Sequence, residues 1–138
     1  MPAGMRSVLA VIAGLILFVL IVMTWQGTVM PRVYPLPTWV DMNDLESIKK
    51  GIAAMPDGAF AALLAGYALA TTCAGMVAAA IGPRRPMLCA GIVGGLTMLG
   101  GVMNFATLPH PLWVVIVGVP MYMVAALVGG RLGMRLTR

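Results

Sequence analysis

Apolar and polar positions alternate along this chain on the scale of whole elements. Residues 7–25, 59–81, 87–105 and 112–130 contain no Asp, Glu, Lys, Arg or His. Crossing a hydrocarbon core about 30 Å thick takes about 20 residues at about 1.5 Å each, so every one of these stretches predicts a transmembrane helix. Met1 to Arg6 look like the basic start of a signal peptide, but the run that follows is longer than the usual apolar segment of one. It ends in Thr24-Trp25-Gln26-Gly27 rather than a small-residue cleavage pattern, so a retained helix is expected.

The polar intervals differ in length. Gly82-Pro83-Arg84-Arg85-Pro86 and Pro109-His110-Pro111 are tight turns that make the second, third and fourth spans consecutive antiparallel neighbours. Only residues 26–58 leave room for structure. Pro31, Pro35 and Pro37 predict an extended piece ending at Trp39. A short helix over about 44–55 should follow, with Asn43 as cap and Glu46 three residues on. Its Leu45, Ile48, Ile52 and Met55 recur at intervals of three and four, while Glu46, Lys49 and Lys50 face away. That is the pattern of a helix lying in a membrane interface. The expected fold is all-α: a single membrane domain over residues 1–138, built as a bundle of four transmembrane helices with an amphipathic helix in the outer loop between the first two.

Composition supports the same class. Apolar residues make up 61% of the chain and charged residues 9%, against roughly 45–50% and about 25% in soluble domains; mean hydropathy is +0.99. The net charge of +5 raises the question of nucleic acid, but the cations sit at the ends of apolar runs without a basic stripe or interleaved aromatics, so no nucleic-acid partner is expected. With the N-terminus inside, Arg6, Arg84, Arg85, Arg131, Arg135 and Arg138 lie on the inner side. Arg32, Lys49 and Lys50 lie outside, together with Asp41, Asp44, Glu46 and Asp57. The positive-inside rule favours this arrangement and places both termini in the cytoplasm, across a cytoplasmic (inner) membrane. Cys73 and Cys89 fall within spans and read as small buried apolar residues.

Candidate chemistry is sparse. A single histidine, no carboxylate in a span and no Ser or Cys beside a base leave the usual nucleophile and general-base sets without members, and no cofactor or metal is expected. The thirteen methionines are scattered, and Met121 and Met123 lie on different sides of one helix. They read as flexible filler rather than copper ligands. Spans without ionisable groups argue against a proton- or ion-coupled pump. What polarity there is predicts a pocket at the outer mouth: Gln26, Asn104 and His110 at one level, with Tyr67 and Tyr122 about 12–15 Å deeper. The amphipathic helix would cover it, its acids within reach of His110.

Small residues crowd the last three spans. Ala62, Gly66, Ala70 and Ala74 share a face of the second. Gly91, Gly94, Gly95 and Gly101 lie on the third, and Ala125, Gly129 and Gly133 on the fourth. Such faces let helix backbones approach closely within a chain or between chains. Gly66, Gly91, Gly94, Gly95 and Gly129 are the candidate packing positions. Pro-x-Pro-x-Trp also occurs twice, at residues 35–39 and 109–113, each time after an outward-going span.

Tyr34-Pro35 with Pro37, and Asn104 followed by Leu108-Pro109-His110-Pro111 and Trp113, resemble a pattern in small bacterial four-helix integral membrane proteins of no assigned function. The resemblance implies the four-helix membrane fold and no activity. The leading expectation for function is a non-enzymatic membrane component, a self-associating scaffold or an accessory subunit of a larger membrane complex. Its partners would be the lipid bilayer and further protein copies. The alternative is a passive carrier or pore for a small neutral or hydrophobic molecule.

Overall fold

The computed structural model describes residues 1–138 and contains five helices and no strands. In chain order they are α1 (Ala3–Val33), α2 (Leu45–Ala53), α3 (Asp57–Ile81), α4 (Pro86–Thr107) and α5 (Leu112–Leu136). All but α2 are long and apolar enough to cross a membrane.

Several boundaries differ from the sequence expectation. α1 does not stop at Trp25 but passes through a π-turn over Trp25–Val29, where the Met30 N–H reaches back five residues to the Trp25 carbonyl, and continues to Val33. Pro31 accounts for the wide turn. It has no N–H to give and in a regular helix its ring would press on the Gly27 carbonyl, whereas an i→i+5 turn opens the ladder at that point. Pro31 therefore belongs to the helix, and the extended piece starts at Tyr34. α5 runs on past Gly130 to Leu136, with Arg135 in its last turn, where a cation suits the carbonyl end.

The cap of α2 is Asp44, not Asn43. The Asp44 carboxylate accepts the Glu46 N–H at 3.2 Å. Asn43 is committed to the preceding turn, in which Asp41 accepts the Asn43 N–H on its side chain and the Asp44 N–H on its carbonyl. The predicted inward face also shifts. Ile52 and Met55 pack on the core, but Leu45 is exposed.

α3 is the centre of the assembly. It packs against α1, α4 and α5, whereas α1 and α5 do not meet. The reason is its coat of small residues: Ala70, Ala74 and Ala78 are wholly buried, and Gly75 lies on the backbone of Ala126 in α5. From the other side Gly129 and Gly133 lie on the backbone of Thr72 and Met76, so α3 and α5 touch main chain to main chain. α1 is seated by Ala10 and Gly14, the latter against Ala74, Ala78 and Val93.

Of the five candidate packing glycines, three lie at contacts within the chain. Gly66 takes the Trp25 indole, Gly94 takes Ala126 and Met123, and Gly129 takes Thr72. Gly91 opens on empty space, and Gly95 meets only the Met123 methyl at 4.0 Å, so that face of α4 is not a helix contact in this fold.

The core divides in two. Toward one end it is built from alanines with Cys89 and Val93; toward the end that carries α2 it is built from Phe60, Leu64, Tyr67, Phe105, Val114 and Tyr122. Helices spaced by Ala and Gly pack closer than helices spaced by aromatic rings. The aromatic end is where a cavity has room to open.

Candidate functional site

The π-turn of α1 turns two consecutive side chains onto two consecutive residues of α3. Trp25 lays its indole over Gly66 and donates its Nε1–H to the Ala62 carbonyl at 3.0 Å. Gln26 donates from Nε2 to the Tyr67 hydroxyl at 3.0 Å. A side chain larger than hydrogen at position 66 would collide with the indole, so the glycine is required here by close approach. From α4, Asn104 Nδ2 approaches the same phenol oxygen at 3.5 Å, the outer limit of a hydrogen bond. Gln26, Tyr67 and Asn104, drawn from three helices, thus meet at one atom. The expected depth difference of about 12–15 Å between the amides and Tyr67 does not exist. α1 remains helical beyond Trp25, and the phenol spans the remaining gap.

Tyr122 lies behind this group rather than in it. Its ring centroid is 5.9 Å from that of Tyr67, and its ring covers Gly101. It supports the floor of the pocket without lining it.

His110 occupies the α4–α5 turn with its ring edge-on to Phe105 at 5.0 Å and to Phe60 at 5.7 Å. Its Nδ1 is 2.9 Å from the Leu108 carbonyl oxygen. A carbonyl can only accept, so Nδ1 carries the proton and Nε2 is the free nitrogen. The expected contact with acids of α2 is not formed. The α2 residues across the shallow groove from His110 are Lys49, Lys50 and Ala53. Glu46 pairs with Lys49 at 3.3 Å, Asp44 caps the helix, Asp41 holds the turn before it, and Asp57 accepts from Trp113 Nε1 at 3.3 Å. With Ile52 and Met55 turned to the core, the helical period brings the lysine edge of α2, not its acidic edge, to the turn.

Above these groups lies a cavity of about 610 Å³. Its apolar wall includes Met30, Leu36, Met42, Ile52 and Leu63; its polar members are Gln26, Tyr34, Thr38, Tyr67, Asn104 and His110. No Asp, Glu, Lys or Arg lines it. Residues 34–42 and α2 form the cover and are tied to each other. Val40 lies on Gly51 and the Asp41 N–H donates to Ser47 Oγ at 2.8 Å, while the Tyr34 hydroxyl rests on Gly58 in the first turn of α3.

Four of the five candidate pocket residues, Gln26, Tyr67, Asn104 and His110, line this one cavity. Sequence reasoning missed Tyr34 and Thr38, isolated polar residues of a proline-rich segment that carries no periodicity to orient them. It also missed Phe60, which reads as one more apolar residue of a span. Nowhere do three His, Cys, Asp or Glu side chains gather as a metal donor set. What the arrangement offers is neutral hydrogen bonding at the end of an apolar chamber. No family model, curated protein or solved structure matches this chain.

Proposed function

We propose that the chain is a multi-pass membrane protein, with both termini in the cytoplasm, whose outer end holds a small uncharged or hydrophobic molecule. It would serve as a passive carrier for that molecule or as the subunit that retains it in a membrane complex. The covered cavity carries this reading. A scaffold needs flat small-residue faces and no polar chamber, whereas a binding protein needs a chamber of about 300–1,000 Å³ with a few convergent polar groups. The absence of charged lining residues favours an uncharged occupant, because a buried ion without a partner is costly. Membrane insertion is supported by large apolar side chains left on the outside, among them Ile16 at 56%, Leu99 at 58% and Met103 at 63% exposed. A water-facing surface of this kind would be unusual. Orientation rests on the excess of arginine at one end.

The test is saturable binding of the neutral fluorophore N-phenyl-1-naphthylamine to nanodisc-embedded protein, with empty nanodiscs subtracted. Wild type is expected to bind stoichiometrically, and Leu63→Trp, which fills the chamber from its wall, to bind weakly. Binding that Leu63→Trp leaves unchanged would place the probe elsewhere and defeat the reading.

The scaffold reading keeps one observation in its favour, the open face of α4 at Gly91 and Gly95. In bilayers, Gly91→Leu with Gly95→Leu should abolish cross-linked oligomers of an otherwise folded protein. A cross-linking pattern identical to wild type would remove that support.

A further inference from the structure

The hydrogen bonding at the floor of the pocket restricts the occupant further. A phenol oxygen has two lone pairs and one proton. In Tyr67 the oxygen receives an N–H from Gln26 at 3.0 Å and another from Asn104 at 3.5 Å. With Gln26 on one lone pair and Asn104 directed at the other, the hydroxyl has its proton left to give, and no protein acceptor takes it. Gln26, Tyr67 and Asn104 all line the cavity, so a molecule held there is in a position to receive this proton. The two amides also hold the phenol in place and polarise its O–H, making it a better donor. A carboxylate or ammonium would enter without a counter-charge among the lining residues. Much of the remaining lining is hydrocarbon and thioether, including Leu36, Met42, Ile52 and Leu63.

We propose that the pocket selects an uncharged amphiphile that presents a carbonyl-type oxygen, as in a ketone, quinone or ester, to the Tyr67 hydroxyl. Its hydrocarbon part runs upward beneath the α2 cover. Tyr67 is the specificity-determining residue, and Gln26 and Asn104 position it. The inference rests on the reading of the cavity as a binding site, and the experiment separates the two.

Nanodisc-embedded protein is equilibrated with radiolabelled 2-undecanone, and undecane, undecanoate and undecylamine are offered as competitors at equal membrane concentration. Wild type is expected to retain the ketone and to be poorly competed by the other three. Tyr67→Phe is expected to lose about fivefold or more in ketone affinity, the worth of one hydrogen bond, while N-phenyl-1-naphthylamine binding stays within about twofold. That second measurement also reports that the variant is folded. Independently of any variant, the infrared carbonyl band of the ketone bound to wild type should lie at lower frequency than in empty nanodiscs. Equal retention of undecane and ketone overturns the selectivity, as does an unshifted carbonyl band or a ketone affinity indifferent to Tyr67→Phe in a protein that still binds the fluorophore. Retention of neither ketone nor fluorophore above empty nanodiscs would overturn the binding site itself.

Discussion

Replacing Gly129 and Gly91 separately by alanine makes the same chemical change at two places the fold treats oppositely. A Cβ at Gly129 would lie 2.8 Å from the Thr72 carbonyl carbon and 3.0 Å from the Met76 nitrogen, with the Thr72 oxygen closer still. Carbon contacts are comfortable at about 3.5–4.0 Å. α3 and α5 would therefore have to part by about 0.5–1 Å, and a gap of that size forfeits roughly a quarter to a half of each dispersion contact along the seam. No flexible side chain stands in the way to yield instead; the obstacle is backbone. Overpacking of this kind costs about 1–3 kcal/mol, offset by about 1 kcal/mol because alanine is the better helix former. At Gly91 nothing lies within 4 Å, so only the favourable term acts. Subtracting one variant from the other cancels the propensity and leaves the seam. Gly129→Ala is expected to be less stable than Gly91→Ala by about 1–3 kcal/mol in reversible unfolding from mixed micelles titrated with dodecyl sulfate. Stabilities equal to within about 0.5 kcal/mol would refute the main-chain contact between α3 and α5.

Gly66→Ala should expel the Trp25 indole and break its bond to Ala62, at a cost of about 1 kcal/mol and with a shift in tryptophan emission; an unaltered spectrum would count against the seat. His110→Phe keeps the edge-on contacts with Phe60 and Phe105, so it should be tolerated, while His110→Ala should raise hydrogen exchange in the α4–α5 turn. Equal exchange in all three proteins would leave the ring without a structural role. Because lysines rather than acids of α2 face His110, exchange within α2 should be the same in His110→Ala as in wild type, and a large rise there would contradict the placement. Cysteines at positions 50 and 85, in a chain with Cys73 and Cys89 changed to alanine, should react with an impermeant maleimide from opposite sides of the membrane. Reaction of both from one side would mean the crossing number is wrong.

The long helices were legible because a 20-residue run without charge has few other solutions. Their ends were not, because an end is decided by a few hydrogen bonds. Pro31 reads as a breaker until the π-turn before it is seen to make room, and the α2 cap moves by one residue because Asp41 has already claimed Asn43. Four polar members of the pocket, Gln26, Tyr67, Asn104 and His110, stood out among the few polar side chains in or beside the long helices. Which of them touch was not readable, since that depends on how far α1 stays helical and on its rotation about its axis. Gly91 and Gly94 are alike in sequence and only three residues apart, yet one faces space and the other Ala126; the difference is the face of α4 that α5 covers. The repeated Pro-x-Pro-x-Trp pattern shows the same limit. Trp113 lies in the first turn of α5 and bonds Asp57, whereas Trp39 is an exposed loop residue.

The seat of α1 has a consequence for how the chain is made. Ala10 and Gly14 dock against Ala74, Ala78 and Val93, which do not yet exist when α1 leaves the ribosome. At about 5–20 residues per second, the last of them follows only after several seconds. During that interval α1 lacks the neighbours it has in the finished bundle. It is also the most apolar of the four long helices and the one least buried in the finished bundle, while α3, the most buried, carries Tyr67, Thr71 and Thr72 and is less apolar. On the membrane reading, α1 is lipophilic enough to stand in lipid until α3 and α4 arrive. A polar residue on the outer face of α1, at Ile12 or Ile16, would then impair insertion before it had any contact in the folded protein to disturb.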